Sequence, residues 1–238
     1  MNEANNLQTP TQPPLVIADV SRCPSINFFN VDCIDFMKSK PDKCYDLAIV
    51  DPPYGLGFDG GNIGGNNRGK SKKYTQKDWD KEAPNELYFK ELQRVSKNQI
   101  VFGANHFISK IPFDSSCWIV WDKQTGGDFA DCELAWTSFN TAVRKYTYTW
   151  NGFRQGKTCQ VVEARIHPTQ KPRFLYQWIL QNYAKPNDKI LDTHGGSMSI
   201  AIACELEGFD LDICEIDKEY FEAGVNAFNL HKRQQRLF

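Results

Sequence analysis

Short apolar runs of strand length alternate with amphipathic, helix-length segments from residue 26 almost to the C-terminus, and that alternation leaves few architectures open. INFFNVD (26–32) reads as a strand, and CIDFMKSK after it as a short helix. CYDLAIV (44–50) is a continuous apolar run with the length and flanks of a buried strand. NELYFKELQRVS (85–96) has helical spacing, and QIVFGAN, CWIVWDK, CELAWTSF and VRKYTYTW read as four further strands. RFLYQWILQNYA (173–184) is a helix opened by Pro172. KILD, SMSIAIACELEG, LDICEID and KEYFEAGVNAFNLHKRQQR then follow as strand, helix, strand, helix. Repeated βα units of this kind predict an α/β fold with a mainly parallel sheet and helices on both faces.

A chain of 238 residues supports one sizeable core and requires no second domain, so residues 26–233 are expected to form a single domain. Residues 1–25 open on MNEANNLQTPTQPP, polar and proline-bearing, which reads as a disordered lead-in and not as a secretory signal. No apolar run approaches the roughly 18 residues of a membrane span. The eight cysteines include no C-x-x-C pair, which argues against a zinc site and a disulfide framework and favours reduced thiols in the cytoplasm. The formal net charge of −1 gives no global sign of a nucleic-acid partner. Two local patches stand out, Arg68, Lys70, Lys72, Lys73 and Lys77 in one stretch, and Arg144, Lys145, Arg154 and Lys157 interleaved with Tyr146, Tyr148, Trp150 and Phe153; taken alone each reads as a solvated face, and they gain meaning only beside the motif at 51–54.

The run 44–50 stops abruptly at Asp51-Pro52-Pro53-Tyr54. Two successive prolines hold the backbone extended and offer no N–H to a neighbouring strand, so a carboxylate and a free carbonyl are presented rigidly. From Gly55 to Lys77 the chain is rich in glycine, asparagine and basic residues, the composition of a long functional loop. A second unusual loop, Asp192–Met198, also begins at a strand end. Ligands of parallel sheets gather outside the carboxyl ends of the strands, so both loops are expected to share one crevice.

With DPPY (51–54), HPTQKP (167–172) and LDTHGGSMSIAIACELEGFDLDICEID (191–217) in that order, the chain resembles the β-group of amino-methylating DNA methyltransferases, in which the catalytic motif precedes the cofactor motif. ELQRVSKNQIVFGAN (91–105) and WIVWDK (118–123) are weaker family-like text between them. The resemblance implies a Rossmann-like methyltransferase fold with permuted motif order and S-adenosylmethionine as cofactor. It implies catalytic roles for Asp51, Pro52, Pro53 and Tyr54, and cofactor binding by Lys171, Asp192, Gly196, Ser197 and Glu215, with His194 carried over more loosely. No metal is implied. The double glycine before a helix invites comparison with dinucleotide sites, but the Asp192 carboxylate would repel phosphates and suits a cofactor bearing an ammonium and a sulfonium. Glu215, at the end of the next strand, stands where a ribose-binding acid is found in nucleotide folds.

The chemistry implied is direct methyl transfer to an exocyclic amine of a flipped base. Asp51 and the Pro52 carbonyl would accept its N–H groups, and Tyr54 would stack on the base. Aspartate at the first motif position favours N6 of adenine over N4 of cytosine. No Pro-Cys dipeptide is present, which disfavours cytosine-C5 chemistry. Double-stranded DNA is the expected partner, met by segments 55–80 and 123–166, with Arg68, Lys70, Lys72, Lys73, Arg144 and Lys145 on phosphates. One departure from the family pattern is Met198, where Gly-Ser-Gly is usual; a side chain there restricts positive φ and close backbone approach. It is the one feature favouring a catalytically silent DNA-binding module on the same fold. Methylation of RNA or of a protein amide is a further reading, disfavoured by the motif order. Finally, the tail 234–238 resembles the short sliding-clamp-binding peptide of bacterial replication proteins, with Gln234, Leu237 and Phe238 at its fixed positions.

Overall fold

The Asp32 carboxylate accepts the backbone N–H groups of Ile34 and Asp35 at 2.8 and 3.0 Å, and this cap turns the chain from β1 (Ile26–Phe29) into α1 (Cys33–Lys38). The computed structural model describes residues 23–57, 80–124, 130–151, 154–156 and 163–235. After α1 come β2 (Tyr45–Val50), α2 (Glu86–Val95), β3 (Ser96–Phe102), β4 (Trp118–Asp122), β5 (Cys132–Thr137) and β6 (Arg144–Thr147). A small ribbon of β7 (Trp150–Asn151) and β8 (Arg154–Gln155) precedes α3 (Arg173–Tyr183), β9 (Lys189–Asp192), α4 (Ser199–Glu207), β10 (Asp210–Cys214) and α5 (Lys218–Gln235).

Eight strands form one sheet in the order β1-β10-β9-β2-β3-β5-β4-β6. All neighbours are parallel except β5, which runs antiparallel to both β3 and β4. This is the expected Rossmann-like α/β sheet with one reversed strand, and the alternation along β2 shows why it is covered on both faces. Leu47 and Ile49 enter the layer containing Leu175 and Ile179 of α3, Ile200 and Ala203 of α4 and Phe228 of α5. Ala48 and Val50 enter the other, with Phe36 and Met37 of α1 and Tyr88 and Leu92 of α2. Each of these large apolar side chains contributes about 1.5–3 kcal/mol by burial.

The connection from β2 through α2 steps to β3, whereas that from β9 through α4 steps the other way to β10. The strand order therefore reverses between two hydrogen-bonded neighbours, β9 and β2, paired at Ala48 and Leu191. Such a reversal opens a crevice above the carboxyl ends of the two strands.

Two details differ from the sequence expectations. VRKYTYTW is not one strand: β6 ends at Thr147, and Trp150 starts the ribbon, its indole N–H donating to the Gln170 carbonyl at 2.8 Å. Between β3 and β4, two single 3-10 turns at Ala104–His106 and Ile108–Lys110 replace the helix that a simple βα repeat would supply. The loop 55–77 falls almost wholly outside the described residues. Among the described residues, no helix is long and apolar enough to cross a membrane.

Candidate active site

Asp51 leaves the end of β2 beside buried Pro52, and the turn is secured from below by Asp80, whose carboxylate accepts the N–H groups of Tyr54 and Gly55 at 2.7 and 3.0 Å. The Tyr54 ring stacks on His106 with centroids 5.1 Å apart and planes 17° apart. It also passes so close to Gly103 that a Cβ there would lie 2.0 Å from Tyr54 Cε1, so this position must lack a side chain. The Tyr54 hydroxyl donates to Asp51 Oδ1 at 2.8 Å.

Lys171 reaches the same carboxylate from the opposite side. The segment before α3 is folded on itself, with the Gln170 side-chain oxygen accepting the Ile166 N–H at 2.9 Å and Pro172 at the helix N-cap. Lys171 is thereby held 4 % exposed, with Nζ 2.5 Å from Asp51 Oδ2, 3.2 Å from Glu133 Oε2 and 3.2 Å from the Tyr54 hydroxyl oxygen, and 4.7 Å from the centre of the Phe102 ring. Glu133, on β5, is also paired with Lys123. Burial raises the Asp51 carboxyl above the usual range, with Lys171 opposing and Glu133 reinforcing the rise. Burial also acts to raise Glu133, but Lys171 and Lys123 together hold it below the usual range.

The second loop starts at Asp192, the last residue of β9, 2 % exposed, with Oδ1 accepting the His194 N–H at 3.0 Å. Burial pushes its carboxyl up to about 8. Gly196, at φ +50°, donates its N–H to Glu215 Oε2 at 2.7 Å, while Glu215 Oε1 accepts the Asp217 N–H at 2.8 Å. Ser197 and Ser199 share a hydroxyl hydrogen bond at 2.9 Å. The His167 ring packs edge-on to Tyr220 at 4.3 Å and lies 3.7 Å from where a Cβ on Gly196 would be, so the HPTQKP segment braces this turn as well as the catalytic one. His194 is half-buried edge-on to Tyr88, and desolvation pushes it down to about 4, which makes it neutral at pH 7. Cys33 Sγ stands 4.0 Å from its Nε2 with the thiol pushed up to about 12, so this pair forms no thiolate nucleophile.

Met198 itself adopts the left-handed conformation, φ +58° and ψ 23°, at the N-cap of α4, and is fully buried. Its side chain turns into the core, where a Cβ on Gly195 would lie 2.6 Å from Sδ and a Cβ on Gly224 of α5 would lie 2.3 Å from Cγ. Glycines at 195 and 224 make the room that the methionine fills.

Residues 122–226 match a family model described as DNA methylase. The type II methyltransferase M.HinfI of Haemophilus influenzae is 23 % identical over 235 residues, a match covering 80 % of this chain and 65 % of that enzyme, just under two thirds of its length. The M1.HpyAVI–SAM complex superimposes with a TM-score of 0.54 at 20 % identity, covering 84 % of this chain and 98 % of the other. The cytosine-N4-specific PvuII DNA methyltransferase does so with a TM-score of 0.56 at 14 % identity, covering 87 % and 89 %. The chain thus resembles the N6-adenine/N4-cytosine DNA methyltransferase family, with a DNA methylase match over residues 122–226.

The residues expected from the motifs fall into two groups on adjacent strands. Asp51, Pro52, Pro53, Tyr54 and Lys171 surround the end of β2, and Asp192, His194, Gly196, Ser197 and Glu215 surround the ends of β9 and β10. Lys171, expected on the cofactor, pairs with the Asp51 carboxylate. Arg144 and Lys145 lie on the edge strand β6, four strands from β2, or about 19 Å at ~4.8 Å per strand. Lys145 is paired with Asp122 at 3.3 Å. Arg68, Lys70, Lys72 and Lys73 lie outside the described residues, as do Leu237 and Phe238. The motifs did not reveal Asp80, Gly103, His106 or Glu133. Gly103 carried a usable signal, a glycine ending an apolar strand run, whereas an acid inside a strand such as Glu133 ordinarily reads as a solvated face.

Proposed function

We infer that the protein transfers a methyl group from S-adenosylmethionine to an exocyclic amine of a base in double-stranded DNA, N6 of adenine in preference to N4 of cytosine. The observation that carries this reading is the placement of Asp51 and Asp192 at the ends of hydrogen-bonded neighbours, β2 and β9, where the strand order reverses. One carboxylate serves the amine and the other the cofactor's cationic part.

The residues at β9 and β10 fit that cofactor. A buried carboxyl raised to about 8 is costly to ionise and is relieved by a cation beside it, as an ammonium or sulfonium would be. Glu215 keeps its carboxylate fixed by two backbone N–H groups, which orients it for a ribose hydroxyl. Met198 is fully buried, its side chain packed between Gly195 and Gly224, which supports a cofactor-binding protein over a silent module. When bound, the cofactor supplies an electrophilic methyl group.

The chain's own residues prepare the amine. Its lone pair is delocalised into the base and needs hydrogen-bond acceptors to bring it out. In this reading the amine takes the place of the Tyr54 hydroxyl on Asp51 Oδ1 and donates its other N–H to the Pro52 carbonyl, while Lys171 keeps Asp51 Oδ2 in place. Tyr54 then stacks on the flipped base, which requires it to leave the hydroxyl contact and present a face other than the one against His106. The preference for adenine rests on aspartate at position 51. Segments 55–80 and 123–166 are proposed to meet the duplex, the second with Arg144 and Lys145 on its phosphates.

Nucleoside analysis of duplex DNA after incubation with methyl-labelled cofactor tests the reading. N6-methyladenine is the expected product, N4-methylcytosine overturns the choice of base, and label in neither overturns the function. The tail containing Gln234, Leu237 and Phe238 is proposed to dock on a sliding clamp. Binding to purified clamp that survives deletion of residues 234–238 overturns that part alone.

A further inference from the structure

Lys171 is buried between two carboxylates and not one, and the second belongs to a residue with no part in the reaction derived above. Its Nζ is 2.5 Å from Asp51 Oδ2 and 3.2 Å from Glu133 Oε2. Glu133 sits on β5, the reversed strand, two positions before Ala135, which pairs with Phe102, the ring on which the lysine lies. Glu133 is anchored on its far side by Lys123, just beyond the end of β4. The result is a chain of alternating charge, Lys123, Glu133, Lys171, Asp51, half-buried except at the buried Lys171; its last member is the group that must accept the amine.

We propose that Glu133 is a positioning residue acting through Lys171, sharing the lysine's charge with Asp51 and thereby setting how strongly the Asp51 carboxylate accepts a hydrogen bond. This rests on the proposed function for its consequence but not for its geometry. A lysine facing Asp51 alone would draw the carboxylate's electron density wholly to itself and leave a weak acceptor for the amine. A lysine held midway keeps Asp51 ionised, oriented and still able to accept. The groups facing Asp51 are Tyr54 on its own loop, Lys171 ahead of α3, Tyr176 on α3, Glu133 on β5 and Asp192 on β9. Among them Lys171 is the one cation, and Glu133 and Asp51 share it directly.

The test follows the Asp51 carboxyl resonance of the full-length, 13C-labelled protein through a pH titration, assigned by its loss in Asp51→Asn. Glu133→Gln is expected to lower the Asp51 midpoint by about one pH unit. The acid limb of kcat should move the same way, the plateau should fall about tenfold and the cofactor KM should be unchanged. A residue that merely supports β5 would reduce kcat without moving the midpoint or the limb, so an unmoved Asp51 midpoint in a folded Glu133→Gln protein overturns the proposal. Should Glu133→Gln fail to fold, the reciprocal titration decides. In Asp51→Asn the whole lysine charge falls to Glu133, whose midpoint must drop; no change overturns the proposal. Absence of methyl transfer by the unaltered protein would reject the proposed function while leaving both titrations able to decide this one.

Discussion

Lys171 Nζ lies 2.5 Å from Asp51 Oδ2, although the two residues are far apart in sequence and on different layers of the fold. The contact couples the HPTQKP segment to the DPPY turn, so neither motif is complete without the other. Removing the lysine leaves a buried carboxylate without its cation, a change that typically costs 3–5 kcal/mol. Lys171→Gln is therefore expected to lower stability by about that amount. Because Lys171 opposes the rise of the Asp51 carboxyl, its loss raises that group further. The acid limb of the activity profile should move to higher pH, opposite in sign to the effect of Glu133→Gln.

Under the proposed function, Asp192 would link cofactor binding to protons. Its carboxyl is pushed up to about 8, so at pH 7 it is mostly protonated, and a cation seated beside it should release close to one proton. Calorimetric titration with the cofactor in buffers of differing ionisation heat reads this directly. A group raised in the folded state favours folding at low pH, and that contribution is lost as pH rises from the unfolded value near 4 to the folded value. Stability of the free protein should decline between about pH 4 and pH 8. Asp192→Asn should flatten that decline and abolish the proton release.

Met198 and Gly224 should behave as a matched pair. A Cβ on Gly224 would lie 2.3 Å from Met198 Cγ and 3.3 Å from the Gly196 carbonyl, so Gly224→Ala is expected to destabilise by about 1–3 kcal/mol. Met198→Gly removes left-handed strain of about 1–2 kcal/mol but vacates a buried side chain worth about 2–5 kcal/mol. Combining the two should cost less than the sum of the single changes, and cofactor affinity should stay within a few-fold throughout. Thermal unfolding of the four proteins, with cofactor titrations alongside, checks both statements.

Tyr54 separates ring from hydroxyl. Its ring is the proposed stacking surface, whereas its hydroxyl occupies the Asp51 oxygen that the amine needs. Tyr54→Phe is expected to change kcat by no more than a few-fold. Tyr54→Ala forfeits stacking worth about 1–3 kcal/mol, a loss of roughly 5- to 150-fold in kcat/KM. Gly103→Ala should resemble the alanine variant, since its Cβ would occupy the ring's position.

The sheet was legible because β2 ends in the apolar run Leu47–Val50, β9 and β10 set Ile190, Leu191, Leu211 and Ile213 between turn signals, and α2 and α3 keep helical spacing, patterns that local sequence carries by itself. The reversal of β5 was not, because an antiparallel insertion and a parallel continuation use the same alternation of residues. DPPY and the glycine turn announced themselves by unusual backbone chemistry. Glu133, His106 and Asp80 did not, since each is ordinary in its own segment and becomes part of the site only when β5, the turn at Ala104–His106 and the stretch leading to α2 close around Asp51 and Tyr54. Lys171 was recognisable as part of a motif, but its contacts with Asp51 and Glu133 were not, because spacing along one segment does not reveal which strand ends it will face.

The most direct test of the central claim is transfer of a labelled methyl group from S-adenosylmethionine to unmethylated duplex DNA of mixed sequence, comparing the unaltered protein with Asp51→Ala. The account predicts label on the exocyclic nitrogen of adenine with the unaltered protein and its near-complete loss in the variant while cofactor binding persists. Undiminished transfer by Asp51→Ala, or cofactor binding by the unaltered protein with no transfer to DNA, would contradict it.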